Sequence, residues 1–256
     1  MKKVAIIPAL LNSKRVPNKN LILVDGFPLI YYVVESCKKS GAFDEIYISS
    51  DDNIFKKIAQ DLDVNFYKRD SKKGGSECKM SNSSKTCKGE RCSVHDHFLM
   101  DFISNIECDY VVQVHTTSPL IKPETVLAFS QKLESVDSLV SVEEIFSETF
   151  YKGNPINFNV NKKQETQSLH PLQPIAWSLS GWEKNSFIKS YENGPTFNGT
   201  FEVFPISKIE SIDVDTPDEL FIAEACLSHL RRKESVGKFY YHPNIKSIES
   251  ELVDLI

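Results

Sequence analysis

The amino-acid sequence predicts an α/β fold built on a parallel sheet. Three observations carry that expectation. The apolar run Val4, Ala5, Ile6, Ile7 has the length and composition of a buried strand, and it stops at Pro8, which cannot donate to a sheet ladder. Strand, helix, strand, helix, strand then alternate up to Tyr67, the pattern of right-handed crossovers between parallel strands. Farther on, residues 109–114 (DYVVQV) read as the most central strand and run straight into the polar turn His115-Thr116-Thr117-Ser118-Pro119.

After the first strand comes a polar loop with Asn12, Ser13, Lys14, Arg15, Asn18, Lys19 and Asn20. A helix over 28–39 follows, with Leu29, Tyr32, Val33 and Cys37 near helical spacing and Gly41 as its stop. Residues 45–50 (EIYISS) form a second strand, and Ser49-Ser50-Asp51-Asp52 at its end can cap a helix over 54–60. A short third strand spans 64–67. Residues 68–93 break the rhythm: they are polar, carry Gly74-Gly75 and lack periodicity, which reads as a long loop. A helix over 95–106 places Phe98, Leu99, Phe102 and Ile103 on one face. The central strand 109–114, a helix over 123–133 and a strand over 138–142 come next. The irregular, polar stretch 143–175 suits an arm or subdomain, a kind that often pairs two subunits. Strands are expected at 176–180, 201–204 and 209–212, with a short helix at 182–189. Thr216 and Pro217 supply the cap and first-turn proline of a helix reaching about residue 232. A further strand is expected near 239–241. The whole chain, 1–256, reads as a single domain bearing the 143–175 arm.

Composition narrows the function classes. The chain has 256 residues, 41% hydrophobic and 25% charged, as in an ordinary globular protein. Its net charge is −5 and it shows no block rich in lysine and arginine, which argues against a nucleic-acid partner. No apolar run approaches the roughly 18 residues that span a bilayer. Pro8 and the charges from Lys14 onward argue against a signal peptide. A cytoplasmic location is therefore expected, with the six cysteines as free thiols.

Four groups of residues can carry chemistry. Asp213 and Asp215 lie two apart on an extended segment, so both carboxylates face one side and suit Mg²⁺; either could instead cap the helix near Pro217. Lys14, Arg15 and Lys19, with Ser13 as a hydroxyl donor, suit phosphates, although such residues also fill solvated loops. Gln113, Thr116, Thr117 and Ser118 gather at a strand end, where the amide of Gln113 can both donate and accept; the same residues also build plain polar turns. Cys87, Cys92, His95 and His97, with Cys78 nearby, are loosely spaced like a zinc site but lack the tight pairs of one, so incidental cysteines in a loop are favoured.

Taken together, these residues resemble one family. The opening IIPALLNSKRVPNKNL is similar to the first motif of the acylneuraminate cytidylyltransferases, IIPARGGSKGIPRKNL, and aligns without a gap. Gly26-Phe27-Pro28-Leu29-Ile30, the run from Phe43 to Asp52, the run from Gln113 to Leu120 and the run from Ser211 to Asp218 resemble later family motifs in the same order. Ser13, Arg15, Pro17 and Lys19 also match the related 3-deoxy-manno-octulosonate cytidylyltransferases. The resemblance implies a Rossmann-like nucleotidyltransferase fold: a mainly parallel central sheet, helices on both faces and a small dimerisation arm at 143–175. It implies a homodimer that transfers CMP from CTP to the anomeric hydroxyl of a sialic acid-like (nonulosonic or ulosonic) sugar acid, with pyrophosphate leaving. By position, Ser13 and Lys19 would contact the triphosphate and Asn20 would lie at the nucleotide; Lys14 and Arg15, from the cationic reading of the same loop, are expected as further nucleotide contacts. Gln113 would lie at the nucleotide–sugar junction, with Thr116 and Ser118 on the acceptor. Asp213 and Asp215 would hold Mg²⁺, and Lys19 would act with them in catalysis. The sequence departs from the family where its arginine is Leu10 and its glycine pair is Leu11-Asn12; Arg15 is expected to reach the same phosphates from the other side of the loop. A related nucleotidyltransferase with another base or sugar, or a non-catalytic nucleotide-binding homologue, are the alternatives.

Overall fold

The computed structural model describes residues 1–11, 13, 15–72, 94–162, 164–193, 197 and 199–232. In chain order the elements are β1 (Lys3–Pro8), β2 (Leu23–Val24), β3 (Phe27–Pro28), α1 (Leu29–Ser40), β4 (Glu45–Ser50), α2 (Ile54–Asp61), β5 (Asn65–Lys68), α3 (Val94–Asn105), β6 (Tyr110–Val114), α4 (Pro123–Leu133), β7 (Ser138–Glu143), β8 (Phe150–Tyr151), β9 (Asn154–Pro155), β10 (Ile175–Glu183), α5 (Lys184–Asn193), β11 (Phe201–Ile206) and α6 (Pro217–Arg232). Seven strands form one sheet in the order β11-β7-β10-β6-β1-β4-β5. β10 runs antiparallel to both of its neighbours, and every other pairing is parallel.

Alternation along the strands divides the core. Ala5 and Ile7 of β1 join Val112 and Val114 of β6 on the face covered by α1, α2 and α4. Val4, Ile6 and Val111 point to the other face, where Phe98, Leu99, Phe102 and Ile103 of α3 and Phe187 of α5 cover them. A third cluster packs α6 against the β2–β3 hairpin through Val24, Leu29, Val214, Ala223 and Leu227. The sheet is thus buried on both faces, which is why its strands read as apolar runs.

The connections explain where a ligand belongs. From β1 the chain moves to β4 and β5 on one side, then returns to place β6 on the other. β1 and β6 therefore flank a topological switch point, and the crevice beyond their carboxyl ends is the expected ligand site of such sheets. The loop after β1 and the turn after β6 both open there.

Two expectations need correction. Trp182, expected to open a helix, belongs to β10, where it pairs with Val111 and Ser138 and is buried edge-on against Phe187. The helix starts after it because the Glu183 carboxylate accepts the amide protons of Asn185 (3.0 Å) and Ser186 (2.7 Å). Residues 209–212, expected as a strand, form a turn. That turn buries Glu210, whose carboxylate accepts the Lys122 amide (3.1 Å) at the start of α4 and the Ser207 hydroxyl (2.6 Å). β10 also carries a bulge between Ile175 and Ser180, where the Ser141 hydroxyl accepts from Leu179 N–H (3.0 Å) and donates to the Ala176 carbonyl.

Within 143–175 the chain forms an ordered arm. The β8–β9 hairpin turns through Lys152 and Gly153, both with positive φ (50° and 82°), as tight two-residue hairpins require. Asn157 ties the arm to its base by donating to the carbonyls of Ser147 (2.8 Å) and His170 (3.1 Å). The expected strand near 239–241, most of the 68–93 loop, and Lys14 lie outside the described residues. Among the described residues, Cys37, Cys108 and Cys226 are free thiols, and no helix is long and apolar enough to cross a membrane.

Phe102 is the keystone of the α3 face, fully buried and edge-on to both Tyr47 (5.3 Å) and Tyr67 (5.0 Å). Phe102→Ala is expected to cost about 3–5 kcal/mol in equilibrium urea unfolding; a cost below about 1 kcal/mol would contradict this packing.

Candidate active site

The loop after β1 and the turn after β6 are joined by one buried relay. The Thr116 hydroxyl donates to Asn20 Oδ1 (2.6 Å), and Asn20 Nδ2 donates to the Leu10 carbonyl (2.8 Å). Thr116 and Asn20 are both buried. These two residues, expected on the ligand, thus bond to each other across the switch point.

The carboxylate pair arrives from the far end of the chain. Val214 is fully buried in the α6 cluster, and its N–H donates to the Thr117 carbonyl (2.8 Å). With Val214 facing the core, Asp213 and Asp215 face the other way. Glu219 fixes the segment further: its Oε2 accepts the amides of Asp215 and Thr216 (2.8 Å each), while Glu219 N–H donates to the Thr216 hydroxyl (3.3 Å). This capping box is legible as T-x-x-E at Thr216–Glu219, a signal that the reading of Thr216 and Pro217 alone passed over.

Cations meet carboxylates here. Lys19 Nζ lies 2.6 Å from Asp215 Oδ1, and an Arg15 guanidinium nitrogen lies 2.5 Å from Asp215 Oδ2. Lys19 is buried, whereas the Arg15 side chain is 66% exposed. Asp213 is different. Burial pushes its carboxyl above the ordinary range, and the charges of Asp215 and Glu219 add to the rise; a hydrogen bond from Thr117 and the charge of Lys19 oppose it. Its Oδ1 is buried with no partner. Ser13 is half-buried, and its backbone N–H donates to the Leu11 carbonyl (3.1 Å).

Gln113 is buried in β6, one residue before the strand's end, with its side-chain nitrogen against His115 Nε2. Across the ladder it faces Ser180 of β10, whose buried hydroxyl lacks a partner, as does that of Ser118. His115 and Ser180 were not singled out from sequence; His115 lies two residues on along the same segment, a spacing the sequence shows, whereas Ser180 is set beside Gln113 by strand pairing alone. Arg69, the basic residue after β5, is buried beneath the Phe98 ring (4.4 Å) and donates to the Ser49 carbonyl (2.8 Å). Burial pulls its guanidinium down to about 10. Of the Cys/His set, His97 is hydrogen-bonded to the Tyr191 hydroxyl (2.8 Å), and Cys78, Cys87 and Cys92 lie outside the described residues.

Comparison with known proteins now bears on this cleft. Residues 4–177 match the model of the cytidylyltransferase family. The chain belongs to that family. The match runs from β1 into β10, so it covers both loops at the switch point and ends before Asp213. The chain is 27% identical over 233 residues to an N-acylneuraminate cytidylyltransferase of Streptococcus agalactiae, covering 86% of this chain and 52% of that protein. It is 26% identical over 262 residues to a 3-deoxy-manno-octulosonate cytidylyltransferase of Bdellovibrio bacteriovorus, covering 89% and 98%. The chain thus spans about half the length of the streptococcal relative and nearly all of the other. A solved structure of a CMP:2-keto-3-deoxy-manno-octonic acid synthetase complexed with CTP superposes with a TM-score of 0.66 at 14% identity, covering 90% of this chain and 100% of that one. The expected fold is therefore the observed one.

The donor set also fits a divalent cation. Among the described residues no cluster of three or more His, Cys, Asp or Glu could hold a metal alone. Mg²⁺ needs less, being commonly held by one or two carboxylates plus substrate phosphates. Asp213 supplies an oxygen without a partner, and Asp215 stands beside it.

A raised carboxyl means that ionising Asp213 costs stability in the folded chain. That cost is full well above its native pKa and vanishes below the unfolded value of about 3.9. Asp213→Asn is therefore expected to raise the melting temperature of the ligand-free protein at pH 8, by a margin that shrinks toward pH 4. A lower melting temperature for this variant at pH 8 would show that the carboxylate is not under strain.

Proposed function

We propose that the chain is a Mg²⁺-dependent cytidylyltransferase that transfers CMP from CTP to the anomeric hydroxyl of a sialic acid-like sugar acid. The observation that carries this reading is the convergence of Lys19, Arg15, Asp213 and Asp215 on one cleft at the carboxyl ends of β1 and β6. Family membership supports CTP as donor. The relatives' names support a carboxylated sugar as acceptor; a pseudaminic acid cytidylyltransferase of Campylobacter jejuni, 51% identical over 59 residues (23% of this chain and 25% of that protein), adds a third such name.

In this reaction the acceptor hydroxyl gives up its proton to water and its oxygen bonds to the α-phosphorus, while the bond from that phosphorus to the bridging oxygen breaks and pyrophosphate leaves with that oxygen's electron pair. The protein's task is to position the groups and neutralise charge. Lys19 and Arg15 bind the triphosphate by charge-assisted hydrogen bonds, and Ser13 extends that cradle. Asn20 and Thr116 contribute by fixing the two loops relative to each other. Gln113 orients the acceptor near the α-phosphate, with the Ser118 hydroxyl as a further donor. Held by Asp213 and Asp215, Mg²⁺ would supply positive charge to the phosphate oxygens as the bond breaks.

We also propose that two chains pair through the arm. Phe150, Tyr151, Ile156 and Val160 are all exposed there, and Tyr151 is 63% exposed. Clustered exposed apolar residues of this kind mark interaction surfaces.

Pyrophosphate release from a panel of nucleoside triphosphates and sugar acids tests the activity. The expected result is release only with CTP and a nonulosonic or ulosonic acid. Asp213→Ala should lower kcat by about 10²-fold or more. Arg15→Ala should raise KM for CTP by about tenfold or more. Equal release with ATP or UTP would contradict the base assignment, and unchanged CTP kinetics in Arg15→Ala would contradict its role on the phosphates. For the arm, Tyr151→Asp is expected to convert a dimer into a monomer by light scattering with circular dichroism unchanged; a wild-type monomer would contradict the pairing.

A further inference from the structure

We propose that Arg15 and Lys19 latch Asp215 in the free chain, so that divalent cation binds this site weakly until nucleotide phosphates draw the latch away. The inference rests on the nucleotide reading above and goes beyond it, because it assigns an order and a coupling to the two ligands. It begins from an asymmetry between two neighbouring carboxylates. Asp213 keeps a buried oxygen without a partner. Asp215 has none to spare, since Lys19 occupies Oδ1 at 2.6 Å and Arg15 occupies Oδ2 at 2.5 Å. Half of the cation site is open and half is closed.

Charge makes the closure effective. A divalent cation approaching Asp215 meets two full positive charges already in contact with that carboxylate, and it must displace at least one of them. Like charges at such distances in a partly dry cleft repel strongly. A triphosphate offers Arg15 and Lys19 a more negative partner with several acceptor oxygens. The two cations differ in freedom. Lys19 is buried with its side chain only 9% exposed, so its head can turn but not leave. Arg15 is 66% exposed, so its guanidinium can swing from carboxylate to phosphate at little cost in packing. Arg15 is therefore the opening half of the latch. The segment carrying Asp215 stays in place throughout, because Glu219 holds its backbone N–H and Val214 is anchored in the core.

The latch predicts effects of opposite sign from one substitution. Arg15→Ala removes a phosphate partner, so nucleotide should bind more weakly. It also frees Asp215 Oδ2 and deletes a repelling charge, so cation should bind more tightly. Simple damage to the site would weaken both.

The test titrates each ligand alone onto the full chain, so that complexes between metal and nucleotide in solution do not enter. Mn²⁺ is followed by the loss of its free electron paramagnetic resonance signal, and α,β-methylene-CTP without metal by calorimetry. Arg15→Ala is expected to tighten Mn²⁺ binding about fivefold or more and to weaken the nucleotide analogue by about tenfold. Adding Asp215→Asn to Arg15→Ala should abolish the gain in Mn²⁺ affinity, which places the gain at this carboxylate. Mn²⁺ affinity that is unchanged or weaker in Arg15→Ala, with the analogue still bound by wild type, would overturn the latch alone. A wild-type chain that binds no analogue would overturn the nucleotide reading, and the latch with it.

Discussion

The cleft depends on a single buried hydrogen-bond relay, from the Thr116 hydroxyl to Asn20 and from Asn20 to the Leu10 carbonyl. Parallel strands leave their carboxyl-end loops free to diverge, and at a switch point the two loops come from strands with no direct connection. Here 96 positions separate the bonded side chains. Burial makes the relay worth keeping. In a low-dielectric setting each bond is stronger than in water, and losing one partner leaves the other with a full desolvation penalty. The spacing between the loop after β1 and the β6 turn is set by this contact, and Lys19, the residue just before Asn20, is carried into place by it.

A second constraint fixes the carboxylates. Val214 is driven into the α6 cluster by its own apolar surface, and strand-like alternation then turns Asp213 and Asp215 away from that cluster. The Thr117 carbonyl binds the Val214 N–H, so the β6 turn that meets Asn20 also holds the acidic segment. Three stretches distant in sequence thus share one frame. The frame carries a cost, because Asp213 is held where burial and like charge disfavour its ionised form. Such sites are common where a protein must bind charge that arrives later.

Much of this was legible from the sequence, for identifiable reasons. The alternating strands and helices up to residue 68 were visible because buried parallel strands are short apolar runs separated by amphipathic segments. The acidic pair was visible because spacing by two on an extended segment needs no tertiary information. Trp182 was misplaced because a helix cap, Glu183, follows it immediately, and only pairing with β6 and β7 shows that it ends a strand. Residues 209–212 look like a strand by composition, but the buried carboxylate of Glu210 requires a turn. The residue types of Asn20 and Thr116 pointed to the site, whereas their mutual bond could not be read from positions so far apart. The Arg15–Asp215 contact was likewise beyond local pattern. Glu219 was readable as a capping box, and its consequence, a fixed Asp215 backbone, emerges only with the structure.

The central claim is that one cleft holds both the triphosphate and the cation that neutralises it. A crystal structure with CTP and Mn²⁺, using the anomalous signal of manganese, addresses it most directly. The account predicts an anomalous peak at the carboxylates of Asp213 and Asp215, with the phosphates against Lys19 and Arg15 beyond the end of β1. A peak elsewhere, or a triphosphate bound away from the loop that follows β1, would contradict it.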